Sequence, residues 1–122
     1  MPNPGDVVGF FNAQANKHKY HVCVCPTGKY LFLNSPKAKA HPGDFHVASA
    51  DVPLPPTPQG YSIISCTLLT TISEAQFKRL NGKILGKLPA NALKDLIKFV
   101  ETCQTLSEEE QTAIIDGLAD WL

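Results

Sequence analysis

YHVCVCPTGKYLFLNSP, residues 20–36, is the stretch of sequence on which the predicted fold depends. It holds two runs rich in β-branched and aromatic residues, separated by the Pro, Thr and Gly of positions 26–28. Runs of this composition favour strands, and the cluster between them is typical of a turn. The stretch therefore predicts a β-hairpin.

Polar side chains that suit phosphate binding lie at both flanks of this hairpin. Antiparallel pairing brings the beginning of its first strand and the end of its second strand to the same end of a sheet. We therefore expect a candidate site there, formed by Lys17, His18, Lys19, Ser35 and Lys37. The competing interpretation is a solvated loop for the three residues before the hairpin and a turn-capping role for the serine.

Outside the hairpin, apolar runs predict four more strands, at residues 5–11, 45–48, 61–72 and 83–88. Residues 12–16 are expected to form a polar loop that leads into the hairpin. The segment 52–60 holds four prolines, which lack the amide donor that a central strand needs. Its PxxP spacing is compatible with a ligand for an aromatic groove, but we favour a stiff connector across one end of a small barrel.

The last third of the chain has a helical pattern. Pro89 and the apolar residues after it predict a helix over 89–103 that packs across the sheet. Residues 73–80 predict a short helical turn or loop. Ser107 with Glu110 forms a capping-box pattern that begins a second long helix. The apolar stripe of that helix is expected at Ile114, Leu118, Trp121 and Leu122.

A length of 122 residues suits one domain. The elements predict a mainly β fold with C-terminal helices, with a small SH3-like barrel at 1–88 and a helical extension at 89–122. The formal net charge is zero, yet residues 1–60 carry five Lys against three Asp, and no Lys or Arg follows Phe99. We therefore expect a polyanion to approach the first half of the chain and not its tail.

The four cysteines lie inside apolar runs, where they are expected to be small core residues with free thiols. His21, Cys23 and Cys25 alternate along one predicted strand. Residues two apart on a strand are about 6.6 Å apart, whereas zinc ligands lie about 2.0–2.3 Å from the ion, so no zinc or other cofactor is expected. Without a signal-like N-terminus or a long apolar stretch, the expectation is a cytoplasmic protein with no membrane segment.

The order of elements in this chain resembles that of the MazF/PemK/Kid family of toxin endoribonucleases. The stronger part of the resemblance spans 65–103, where LTTIS at 69–73 is followed by a short helical segment, by LNGKILGKL at 80–88 and by the helix LPANALKDLIKFVETC. The weaker part is PGDVV at 4–8, which is similar to the Gly-Asp-hydrophobic strand with which the family begins.

The resemblance implies a compact barrel, a homodimer, metal-independent cleavage of single-stranded RNA and inhibition by a cognate antitoxin. Lys19 stands at the position of the family's catalytic arginine, and Ser35 stands at that of its catalytic threonine. His18 is a candidate acid or base near neutral pH, and Lys17 and Lys37 are candidate phosphate contacts.

The missing arginine leaves a second interpretation open. The one arginine of the chain, Arg79, lies outside the family's active-site position. A lysine offers a point charge where a guanidinium offers a planar fork that holds two phosphate oxygens, so the substitution weakens the orientation of a phosphate. The alternative is a noncatalytic SH3-like binding module that kept the fold and lost the chemistry.

Overall fold

The computed structural model describes residues 1–13 and 15–122. The predicted hairpin is confirmed, and the strands are β1 Asp6–Asn12, β2 Lys17–Cys25, β3 Lys29–Asn34, β4 Asp44–Ala48, β5 Tyr61–Thr71 and β6 Lys83–Lys87. The helices are α1 Glu74–Arg79, α2 Ala90–Glu101 and α3 Glu108–Ala119. A single 3-10 turn, Ser49–Asp51, follows β4.

The six strands form one antiparallel sheet in the order β4-β5-β3-β2-β1-β6. This confirms the mainly β prediction with C-terminal helices. The sheet of the predicted SH3-like barrel is not closed, because no ladder joins β4 to β6 within the described part of the chain. Pro53 of the proline-rich segment packs against Gly86 of β6, and a proline has no amide to donate to a closing ladder.

Apolar side chains are buried on both faces of the sheet, because successive residues of a strand point to opposite sides. One face is covered by α2 and α3, which confirms that the helix predicted over 89–103 packs on the sheet. The core between this face and the two helices includes Val7, Val22, Val24, Leu31, Leu33, Leu93, Leu96, Val100, Ile114 and Leu118. The opposite face is covered by α1 and buries Val8, Phe10, Cys23, Tyr30, Ile72 and Phe77.

Helix α3 begins at the predicted capping box, where the Ser107 side chain accepts a hydrogen bond from the Glu110 amide at 3.1 Å. Ile114 and Leu118 are buried as expected. The placement of Trp121 and Leu122 in the same stripe is wrong, because the helix ends at Ala119 and the Trp121 side chain is 40% exposed. The spacing of the apolar residues predicted the stripe, but Trp121 and Leu122 lie beyond the last helical residue and so do not continue it.

The four cysteines are all free thiols in the structure. Cys66 and Cys103 lie next to each other in the helix-covered core, since the Cys103 thiol donates to the Cys66 carbonyl at 3.5 Å. Cys23 belongs to the core of the other face. Burial raises the pKa of both the Cys23 and the Cys66 thiols to about 12, so these two side chains stay neutral at physiological pH.

Candidate functional site

The three basic residues before the hairpin lie in a strand and not in a loop. Lys17, His18 and Lys19 begin β2 and pair with Asn12, Phe11 and Phe10 of β1. The solvated-loop interpretation is therefore wrong about the backbone of residues 17–19, which is part of a strand. The Lys17 and His18 side chains are nevertheless exposed to solvent. The cause is that β1 continues to residue 12 and supplies ladder partners for the early part of β2.

The end of β3 lies beside the beginning of β2, as the hairpin predicts. Tyr20 pairs with Leu33 across the hairpin, and the Asn34 amide donates to the Ser65 hydroxyl of β5 at 3.0 Å. This hydrogen bond anchors the last residue of β3, so that Ser35 emerges directly at the site and remains exposed.

All five side chains selected from the sequence line one open depression of about 360 Å³, which we call the lysine groove. Its lining residues are Lys17, His18, Lys19, Tyr20, Leu33, Asn34, Ser35 and Lys37. No carboxylate is among the described residues that line it. Three ammonium groups without an acidic neighbour in the lining attract an anion, so the groove is suited to a phosphate chain.

Aromatic rings hold two of the groove's polar side chains in place. The Lys19 ammonium lies 5.0 Å from the centre of the Phe32 ring, within the range of a cation–π contact. The His18 ring meets the Phe11 ring edge to face at 6.0 Å. The cation–π contact holds the Lys19 ammonium beside the ring without giving it a counter-ion, so the ammonium remains able to bind an anion.

A second and larger cavity, of about 710 Å³, shares three residues with the lysine groove at the beginning of β2. We call it the Gly9 cavity, and its lining residues are Gly9, His18, Lys19, Tyr20, Lys78, Asn81, Gly82, Lys83 and Leu85. Sequence reasoning did not predict this cavity. The available signal was the isolated glycine inside the first strand, which marks a close approach by a ligand or by another backbone.

His21 supports the site from beneath and takes no direct part in it. Its ring stacks on Phe10 at 3.8 Å between centroids, and its Nδ1 donates to the Lys19 carbonyl at 3.1 Å. The pKa of His21 is lowered from 6.5 to about 4, mainly by burial, with the hydrogen bond to the Lys19 carbonyl opposing the shift and the Lys19 charge adding to it. The neutral ring therefore fixes the backbone that carries Lys19.

We expect the free energy of unfolding to fall as the pH is lowered from about 6.5 to about 4. In this range unfolded His21, with its ordinary pKa of 6.5, binds a proton that the native side chain, with a pKa of about 4, does not bind. The loss over the full range is about 3 kcal/mol. Urea unfolding at pH 7 and pH 4.5 measures it.

The control for this pH dependence keeps an aromatic ring on Phe10 and removes the titrating group. The His21→Phe variant is expected to lose most of the difference in stability between the two pH values, whereas His46→Phe, at an exposed position of β4, is expected to retain it. An unchanged difference in His21→Phe would show that another group causes the loss.

Among residues 1–13 and 15–122, no three His, Cys, Asp or Glu side chains are grouped so as to hold a metal ion. None of the helices in the same residues has the length and hydropathy that a bilayer span requires. No protein-family model, curated protein or solved structure matches the chain.

Proposed function

We propose that the chain is a divergent MazF/PemK-like protein that binds single-stranded RNA in the lysine groove and cleaves it without a metal ion. The observation that carries this proposal is the lysine groove itself. Side chains from two strands and the loop after β3, selected for phosphate chemistry, line one depression without a carboxylate among them. A backbone of phosphates is the polyanion that such a groove fits.

The proposed reaction is an internal transfer of the phosphate. The 2′-hydroxyl of one nucleotide loses its proton to His18 and its oxygen bonds to the adjacent phosphorus. The bond from phosphorus to the 5′-oxygen breaks, and that oxygen takes up a proton from a water molecule of the solvent, which leaves a 2′,3′-cyclic phosphate. The Lys19 ammonium and the Ser35 hydroxyl stabilise the negative charge of the phosphorane, and Lys17 and Lys37 bind neighbouring phosphates.

The noncatalytic SH3-like binding module, taken as one that binds RNA without cleaving it, is the second candidate function, and one observation favours it. The Lys19 ammonium rests over Phe32, and it presents a single charge in place of the fork that grips two oxygens. This arrangement supplies attraction for a phosphate but little control of its orientation. The two candidates share the lysine groove and differ only in turnover.

The same proposal includes the finer features that the resemblance implies. The open six-stranded sheet is proposed to be an SH3-like fold in which a proline-rich connector replaces the closing ladder. Homodimer formation and a cognate antitoxin belong to the proposal because the resemblance implies them. A cytoplasmic location belongs to it because the four cysteines are free thiols.

The test is incubation of the purified protein with a mixture of single-stranded RNAs in excess chelator. We expect weak binding that declines steeply with salt, together with slow cleavage that leaves cyclic phosphate ends. Each lysine that contacts a phosphate contributes about 0.7 to the slope of log affinity against log salt for a single strand. Binding with intact RNA would favour the noncatalytic module, and the absence of binding would refute both candidates.

A further inference from the structure

Gly9 of β1 is a glycine that the fold does not need. It pairs with Tyr20 of β2 and with Lys83 of β6, beyond the register shift that the β1–β6 ladder has between Val7 and Val8, and its backbone is not in the left-handed region. A Cβ added there would meet its nearest neighbours, Leu85 and Tyr20, at an ordinary 3.7 Å. Glycine inside a strand costs about 0.5–1 kcal/mol relative to alanine. The residue therefore weakens the strand without relieving any clash.

Because it has no side chain, Gly9 leaves empty space at its position in the Gly9 cavity, and we call this position the floor of the cavity. Gly9 lines the Gly9 cavity between the Tyr20 ring and the Leu85 side chain. These two apolar side chains are 47% and 39% exposed. A volume of about 710 Å³ lies within the range of small-ligand sites. The glycine thus leaves room between two apolar walls that no side chain of the protein fills.

The rim of the Gly9 cavity has the opposite character. It carries the lysines Lys19, Lys78 and Lys83, and no described lining residue is acidic. The Lys78 ammonium lies 3.9 Å from Glu74 in an exposed ion pair, a contact weak enough for an anionic ligand to replace. Asn81, held in the left-handed conformation at φ 56°, adds an amide with donors and an acceptor. An apolar floor with a cationic rim fits a planar ring that carries a phosphate.

We propose that the Gly9 cavity holds one unpaired nucleobase of the RNA strand whose phosphates lie in the lysine groove. This inference rests on the proposed function, because His18, Lys19 and Tyr20 line both spaces and would connect one nucleotide's base to its backbone. The Tyr20 ring provides a stacking surface, and Asn81 lines the same cavity with a side-chain amide that suits the polar edge of the base.

A larger side chain at Gly9 would fill the floor of the cavity and leave the ladders of β1 with β2 and β6 in place, so it tests the inference. Gly9→Val adds β-branched bulk where a Cβ has space, and strands favour valine over glycine. Two labelled probes of equal length are compared by fluorescence anisotropy: a 2′-fluoro oligonucleotide, which lacks the attacking hydroxyl, and the same backbone with abasic sites. Thermal unfolding of each variant is measured in parallel, and Gly9→Ala serves as the smaller substitution.

We expect the wild-type protein to bind the base-bearing probe about 5- to 150-fold more tightly than the abasic probe, the range that stacking of one base supports. Gly9→Val is expected to remove this preference, to leave affinity for the abasic probe unchanged and to unfold at a temperature no lower than the wild type. Gly9→Ala is expected to lose less of the preference for the base-bearing probe. If Gly9→Val unfolds at a lower temperature than the wild type, the result for Gly9→Ala tests the inference instead.

Two results would overturn the inference. Equal affinity of the wild type for the two probes would exclude a base site while leaving the phosphate site intact. A preference for the base-bearing probe that survives in both Gly9 variants would place the base elsewhere. If the wild type binds neither probe, the proposed function fails and the base site fails with it.

Discussion

Replacing Lys19 with alanine is expected to lower RNA cleavage at least about a hundredfold. The loss of one preorganised group that stabilises a developing anion has an effect of about 10²- to 10³-fold on the catalytic rate. Lys19 lines both the lysine groove and the Gly9 cavity, and the hydrogen bond from His21 to the Lys19 carbonyl supports its backbone. Initial cleavage rates of a single-stranded RNA in chelator measure the effect.

The controls for this prediction separate charge, orientation and fold. Lys94→Ala removes an exposed lysine from α2, outside the lysine groove, and is expected to cleave like the wild type. Lys19→Arg is expected to cleave faster than the wild type, because a guanidinium holds two phosphate oxygens. Lys19→Ala should also reduce the salt slope of binding by about 0.7. Unchanged cleavage and binding in this variant would place the reaction elsewhere.

Ser35→Ala distinguishes binding from chemistry in the same assay. A hydroxyl that donates to the phosphorane acts mainly in the transition state, so its removal lowers the rate more than the affinity. Equal losses of rate and affinity in Ser35→Ala would instead assign the serine to ground-state binding.

Replacing Gly117 with valine is expected to destabilise the protein by about 3 kcal/mol, the upper part of the range for overpacked cores. Gly117 lies where α3 touches β2, and a Cβ there would overlap the Val24 carbonyl oxygen and stand 2.9 Å from the Cys25 Cα. Both neighbours are backbone atoms and cannot rotate away. The loss is large beside a total stability of about 5–15 kcal/mol. Urea unfolding at pH 7 measures it.

The matched control places the same side chain on the adjacent, exposed position of the helix. Asp116→Val is expected to change stability by less than about 1 kcal/mol, because only helix propensity and surface charge are altered. Gly117→Ala should still destabilise, although alanine is the better helix former. A stabilised Gly117→Ala variant would contradict the close approach of α3 to β2.

The hairpin and the helices could be predicted because their signals are local. The turn at 26–28, the capping box at Ser107 and the apolar spacing after Pro89 each act over a few residues. The open edge could not be predicted from them. It depends on how the connector between β4 and β5 meets β6, and the contact between Pro53 and Gly86 joins residues far apart in the sequence.

One part of the candidate site could likewise be predicted from local sequence, and the other part could not. The lysine groove follows from one hairpin, so residues chosen from its two flanks lie together in the structure. The Gly9 cavity combines β1, β2 and the segment from Lys78 to Leu85. The pairing of β6 with β1 and the hydrogen bond from the Phe11 amide to the Leu80 carbonyl bring these parts together. No local pattern contains that pairing. The isolated glycine at position 9 was the available sequence signal for the cavity.

The gap between β4 and β6 also affects how the native state fluctuates. In the described residues each of these strands has one hydrogen-bonded neighbour, whereas β1, β2, β3 and β5 have two. A ring of strands must break two ladders before any strand leaves, but here an end strand leaves after one. Transient opening is therefore expected to start at the two margins of the sheet and to reach the central hairpin last.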